Sequence, residues 1–132
     1  MTTYLLDTTT LIDFSKGQEP VRSRLLAMLE AGHTLALCAV NLTEFYAGVP
    51  PEQRVQWDEF FSGLPYWDIT REAATHAGGI RYEFARRGIT LSTQDTLIAA
   101  VALERGAVIV TDNVKDYPMA GLQLLSLRNP AP

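Results

Sequence analysis

The chain has a single cysteine, Cys38, so no internal disulfide can form. Set in the apolar stretch from Thr34 to Val40, it reads as a small buried hydrophobe. Histidine is scarce too. His33 and His76 have no acidic or cysteine neighbour at ligand spacing, which leaves both as surface or packing residues and offers no His/Cys cluster for zinc. Positive charge is in deficit: 11 Lys and Arg against 15 Asp and Glu give a formal net charge of -4 and a pI of about 5.1. This argues against a nucleic-acid binder held by overall charge, but not against a local acid cluster whose cations cancel it. No apolar run reaches the length of a membrane span and the N-terminus lacks a basic-then-apolar signal pattern, so the expected location is cytoplasmic.

What is present is an ordinary globular composition, 47% apolar and 20% charged over 132 residues. That length predicts one domain, 1–132, burying roughly two thirds of its unfolded surface, with 129–132 expected to fray. The opening residues Tyr4 to Leu6 read as a buried strand that stops at Asp7. Three threonines follow, and apolar residues resume at helical spacing from Leu11. Val21 to Ala31 reads as a helix ended by Gly32, and Thr34 to Val40 as a second buried strand. Asn41 is placed as the N-cap of a helix with Glu44 at its third position, and a further short helix spans Pro51 to Ser62. Leu64 to Ile69 is a short strand candidate containing Tyr66 and Trp67, both read as core. Arg71 to Arg87 is helical, and Gly78-Gly79 would let another backbone approach. Ser92 opens the most apolar helix, which ends at Gly106; strands follow at Ala107 to Val110 and Gly121 to Leu127. Continuously apolar strands alternating with helices predict an α/β fold with a parallel sheet covered on both faces.

The acids then fall in a pattern. Asp7 ends the first strand, Glu44 and Asp95 lie in the first turns of helices, and Asp112 and Asp116 follow a late strand. Strand ends of one kind share an edge of a parallel sheet, so these residues converge on one rim. Capping explains Glu44 and Asp95 taken singly, and Asp116 alone reads as a turn residue. An acid closing an apolar strand, as Asp7 does, has no such routine explanation. Two carboxylates about 4 Å apart repel by roughly 4 kcal/mol at an effective dielectric of 20. A cluster of four therefore implies a cation. Oxygen donors alone suit Mg²⁺ or Mn²⁺, and such a site serves phosphodiester hydrolysis.

The series Leu6-Asp7-Thr8-Thr9-Thr10-Leu11-Ile12, Asn41-Leu42-Thr43-Glu44 with Gly48, Asp95 with Ile98-Ala99-Ala100, and Thr111-Asp112-Asn113-Val114-Lys115-Asp116-Tyr117 resembles the PIN-domain ribonucleases. Within them it is most similar to the VapC toxins of toxin–antitoxin pairs, and the likeness covers essentially the whole chain. The resemblance implies a three-layer fold around a parallel sheet of about five strands. It puts the acidic quartet on Asp7, Glu44, Asp95 and Asp116. Asp7, Asp95 and Asp116 would hold the divalent metal, and Glu44 would help orient the attacking water. Thr9, Thr111 and Asn113 would be polar helpers. Thr9 departs mildly from the usual Asn or Ser. The fourth acid rests on an Asn-x-x-Asp-aromatic spacing, with Asp112 as a supporting acid or a turn residue. The implied products are a 5′-phosphate and a 3′-hydroxyl.

The implied substrate is RNA, with Arg86, Arg87 and Lys115 as its candidate contacts and Arg81 and Lys16 as further cations; complementing a helix C-terminus is the competing role for them. The implied partners are a VapB-like antitoxin and a second copy of the chain, with DNA met only through the antitoxin. Phe45, Tyr46, Trp57, Phe60 and Phe61 exceed what one small core needs, and part of that surface is expected to form a groove for an antitoxin helix. The alternative reading is a PIN-like domain that binds RNA or protein without cutting, or serves as a housekeeping nuclease. A phosphoacceptor receiver domain fits poorly at Thr8 and Arg128, and a haloacid-dehalogenase-type phosphatase is broken at Thr9.

Overall fold

The computed structural model describes residues 2–128, so the 129–132 tail lies outside the described residues. Five short strands, β1 (Thr3–Leu6), β2 (Thr34–Cys38), β3 (Tyr66–Trp67), β4 (Val108–Val110) and β5 (Gln123–Leu125), form one sheet in the order β3-β2-β1-β4-β5. Every pairing is parallel, with Leu5 level with Ala36 on one side and Ile109 on the other. Six α-helices connect them: α1 (Thr8–Ser15), α2 (Val21–Glu30), α3 (Ala39–Tyr46), α4 (Arg54–Ser62), α5 (Arg71–Arg86) and α6 (Thr93–Arg105). Short 3₁₀ turns occupy Pro51–Gln53 and Val114–Asp116.

Alternation along β1 sorts the core into two layers. Leu5 points into a cluster with Ala36, Cys38 and Ile109, roofed by Ala73, Ala77 and Phe84 of α5 and Ile98 to Ala102 of α6. Leu6 points to the other face, with Leu35, Leu37 and Val110, covered by Leu11 and Phe14 of α1, Leu25 of α2, Phe45 of α3 and Phe61 of α4. Each fully buried leucine contributes about 2 kcal/mol of transfer free energy, so both layers are needed to hold so short a sheet. The three-layer architecture expected from the sequence is the one observed. β1 is the central strand. The chain builds outward to β2 and β3, then returns to β4 on the opposite side, which makes the carboxyl end of β1 the switch point of the sheet.

Several local expectations are corrected. β2 ends at Cys38, not Val40, and α3 starts at Ala39, so Asn41 is not an N-cap but the third residue of the helix, and Glu44 falls beyond its first turn rather than at its third position. It is fully buried; its Oδ1 accepts from the Cys38 N–H at 2.9 Å and its Nδ2 donates to the Leu6 carbonyl. A side chain serving two strand ends outweighs the capping preference that the sequence displayed. α1 begins at Thr8, ahead of the expected Leu11, because Asp7 caps it. β3 and β5 are shorter than expected, and Tyr66 is 50% exposed while Trp67 is core. A Cβ at Gly78 or Gly79 would meet nothing within 4 Å, so no backbone exploits that pair. His33 packs edge-on against Tyr4 and His76 is exposed, as expected. Among the described residues, no helix is long and apolar enough to cross a membrane.

Candidate active site

The carboxyl end of β1 collects hydroxyls and acids. Asp7 is 5% exposed. Its Oδ1 accepts from the Thr8 N–H at 2.7 Å, capping α1, and its Oδ2 accepts from the Thr111 hydroxyl at 2.8 Å and, more weakly, from Thr9 at 3.4 Å. Its backbone N–H donates to the Val110 carbonyl at 3.0 Å, and Thr10 Oγ1 donates to the same oxygen at 2.9 Å. The ends of β1 and β4 are thereby laced together around one carboxylate. Asp7 does have a structural job, which the sequence reading had denied it. The hydroxyl run Thr8-Thr9-Thr10 was the visible signal: each of the three has its own acceptor at this rim.

Asp95 sits in the first turn of α6, where Ser92 caps the helix by accepting from the Asp95 N–H at 3.0 Å. The sequence anticipated that cap. The half-buried carboxyl of Asp95 is pushed above the ordinary carboxylate range, chiefly by burial; the nearby charges of Asp7 and Asp116 push it the same way, while Ser92 and Tyr117 oppose it. Three acids separated by up to 109 positions in the chain are thus electrostatic neighbours. Asp116 closes the 3₁₀ turn, fixed by its N–H donating to the Asn113 carbonyl at 2.9 Å. Asn113 helps through its backbone, also donating its N–H to Thr111 Oγ1 at 3.0 Å.

Glu44 stands further out. It is exposed, and its described contact is the Thr8 hydroxyl at a long 3.5 Å, so its link to Asp7 runs through Thr8. Asp112 turns away to the last strand. It accepts from Ser126 Oγ at 2.6 Å and pairs with Arg128 at 2.9 Å, while Arg128 also bridges to Asp13 at 2.7 Å.

Two residues that sequence reasoning left unassigned at this site complete the surroundings. Arg81 of α5 donates to the Leu91 carbonyl at 3.0 Å and to Thr93 Oγ1 at 2.9 Å, pinning the segment that leads into Asp95. From the sequence it stands as a further cation for RNA or for a helix C-terminus; the structure gives it this local tie instead. Tyr117, the aromatic of the Asn-x-x-Asp-aromatic pattern, is buried with its hydroxyl facing Asp7 and Asp95. Of the other cations, Arg86 lies over the Tyr82 ring at 4.3 Å and Arg87 over Phe84 at 4.0 Å, while Lys115 and Lys16 are exposed.

Among the described residues no three His, Cys, Asp or Glu side chains are gathered tightly enough to cage an ion by themselves. The donor set nevertheless fits a hard divalent cation. Such an ion keeps several waters and needs only one or two carboxylates directly, and the raised Asp95 carboxyl marks like charges that a cation would relieve.

Further along α1, Phe14 joins Trp57, Phe60, Phe61, Phe45 and Tyr46 in a chain of edge-to-face and stacked contacts with centroids 5.0 to 6.4 Å apart. Phe45 and Phe61 are core, whereas Trp57 and Phe60 line an open groove of about 430 Å³ with Phe14, Arg22 and Leu26. The aromatic excess therefore divides into packing and an open surface, as the sequence implied.

The PIN domain family matches residues 4–116. The ribonuclease VapC19 of Mycobacterium tuberculosis is 34% identical over 118 residues, 87% of this chain and 92% of that protein. The tRNA(fMet)-specific endonuclease VapC of Salmonella typhimurium is 33% identical over 122 residues, 89% and 91% of the two chains. Among solved structures, DNA-bound VapBC from Salmonella typhimurium aligns with a TM-score of 0.79 at 29% identity, covering 96% of this chain and 99% of that one. VapBC2 of Rickettsia felis on a promoter DNA fragment gives the same TM-score at 24% identity, over 95% and 98%.

Proposed function

The chain belongs to the PIN-domain family as a VapC-type ribonuclease, a toxin neutralised by an antitoxin, and we propose that Asp7, Glu44, Asp95 and Asp116 form its cleavage centre. The observation that supports this assignment is the rim itself: Asp7 is tied to the end of β4 through Thr111 and Val110, Asp116 sits in the turn that follows β4, and the capped first turn of α6 carries Asp95, whose carboxyl is raised chiefly by burial and further by the charges of Asp7 and Asp116.

The family is metal-dependent, and the all-oxygen donor set favours Mg²⁺ or Mn²⁺ over zinc. Asp7, Asp95 and Asp116 would hold the ion, directly or through its waters. When bound it supplies an acidified water and charge neutralisation on the phosphoryl group. The protein's own part is positional. Asp7 is locked by three donors, so its carboxylate cannot swing, and Asp95 and Asp116 are held by a capped helix and a hydrogen-bonded turn. Glu44, exposed and only loosely tied to Thr8, keeps acceptor capacity to orient an incoming water at the open side. The engagement of Asp112 by Arg128 and Ser126 supports Asp116 as the fourth acid.

RNA approaches an acidic rim, so local cations must hold its phosphates. Lys115, exposed beside Asp116, is the first candidate, and Arg86 and Arg87 add charge at the end of α5. Arg81 is committed to the Leu91–Thr93 segment. The groove at Trp57 and Phe60 fits the apolar face of an antitoxin helix, with Arg22 at its margin for an acidic residue of that helix.

The test is cleavage of a single-stranded RNA with and without Mg²⁺. Asp95→Asn should lower the rate by about a hundredfold or more, and chelation should abolish it. Wild-type cleavage by Asp95→Asn would overturn the assignment.

A further inference from the structure

Tyr117 is 3% exposed, with its ring in the core layer beneath α5 and α6. Its N–H donates to the Val114 carbonyl at 3.1 Å, closing the turn that carries Asp116. Its hydroxyl is one of two buried side-chain polar atoms without a well-formed hydrogen bond among the described residues; the other is His33 Nδ1, on the ring that packs against Tyr4. An unsatisfied buried hydroxyl costs about 1–3 kcal/mol, and phenylalanine would fill the same core space without that penalty. Packing therefore explains the ring and leaves the hydroxyl unexplained.

The hydroxyl faces Asp7 and Asp95 within weak polar reach of both. A phenol keeps its proton at neutral pH, so toward a carboxylate it can only donate. Donors are unequally distributed between the two acids. Asp7 already takes Thr8, Thr9 and Thr111, whereas the Asp95 carboxyl has only Ser92 besides Tyr117 among the described residues.

We propose that Tyr117 is a positioning residue of the cleavage site, its hydroxyl donating to the Asp95 carboxylate and fixing which oxygen faces the divalent cation. The proposal rests on Asp95 being a cation ligand, and it adds a group supplied by the sheet core rather than by the rim. Partners that orient a ligand in this way typically change metal affinity by about 10–100-fold when removed.

The experiment titrates Mn²⁺ into the full chain, reading free ion by electron paramagnetic resonance, for wild type, Tyr117→Phe and Asp95→Asn. Kinetic constants on a single-stranded RNA are measured in parallel. Tyr117→Phe should raise the Mn²⁺ Kd by about 10–100-fold while KM for RNA at saturating Mn²⁺ stays within about twofold. A Mn²⁺ Kd within about twofold of wild type overturns the proposal. So does a KM for RNA at saturating Mn²⁺ that rises along with the Mn²⁺ Kd, which would make the hydroxyl a general packing group. If Asp95→Asn loses Mn²⁺ and Tyr117→Phe does not, only the role of Tyr117 falls. If Asp95→Asn binds as wild type does, the ligand assignment beneath it falls as well.

Discussion

Asp7 is asked to do two things at once, and two substitutions separate them. Asp7→Ala removes the cap that Thr8 donates to, worth about 1 kcal/mol. It also strips the acceptor from the fully buried Thr111 hydroxyl, worth about another 1 kcal/mol. The expected destabilisation is about 2 kcal/mol, or roughly 6–10 °C in Tm for a chain of this length. Asp7→Asn keeps a carbonyl oxygen for the Thr8 N–H, and the Thr111 hydroxyl can rotate to accept from the new amide. It also removes one of the charges that raise Asp95. Its cost should therefore stay below about 1 kcal/mol. Both variants lose the carboxylate, so both should cleave RNA at least about a hundredfold more slowly. Circular-dichroism melts in EDTA and RNA cleavage in Mg²⁺ read the two effects apart. Equal melting temperatures for the two variants would refute the capping account, and wild-type cleavage by Asp7→Asn would refute the chemical one.

Other expectations follow from the same rim. Asp116→Asn should abolish cleavage, while Asp112→Asn should leave it within a few-fold, with little effect on stability because its partner Arg128 is surface-exposed; the reverse ranking of rates would exchange their roles. In EDTA, the raised carboxyl of Asp95 gives a stability contribution fully present below the ordinary carboxylate pKa of 3.8 and lost as pH rises through its higher folded value. Urea melts across that window should show the decline in wild type and a shallower one in Asp95→Asn. Trp57→Ala should weaken capture of the cognate antitoxin by tenfold or more, about 1.4 kcal/mol, as measured by surface plasmon resonance; unchanged affinity would move the antitoxin elsewhere.

The parts of the fold legible in the sequence were those fixed by patterns local in the chain. Uninterrupted apolar runs at Tyr4–Leu6, Leu35–Cys38 and Ala107–Val110 announced strands buried on both faces, and Ser92 and Gly106 bracketed α6 within a residue. What escaped was long-range. Asn41 looks like a cap in any window of ten residues, and only the proximity of Leu6, 35 positions earlier, turns it into a buried tie between β1 and β2. Arg81 and Lys115 are equivalent cations on paper, yet one is spent on a carbonyl and a hydroxyl ten and twelve residues away. Tyr117 was noticed only as an aromatic at the right spacing. Its importance comes from Asp7 and Asp95, whose positions no local window includes. The acids themselves were legible because a parallel sheet sends every strand end of one kind to the same edge.

The same topology explains why this edge can tolerate like charges at all. Around Asp7, the Val110 carbonyl takes two donors, the Thr111 hydroxyl is both donor and acceptor, and Asn41 fastens the next strand to Leu6. These bonds hold the rim whether or not the carboxylates attract anything, so repulsion between Asp7, Asp95 and Asp116 cannot be relieved by the strands moving apart. It can be relieved by protonating Asp95, whose carboxyl burial already pushes up, or by a cation from solution. Above the titration of Asp95 only the second route remains. Stability and metal affinity are then two readings of a single electrostatic cost, and a substitution that discharges the rim without stripping a helix cap or a buried hydroxyl of its acceptor, as Asp7→Ala does, should raise the metal-free melting temperature in the measure that it weakens the ion.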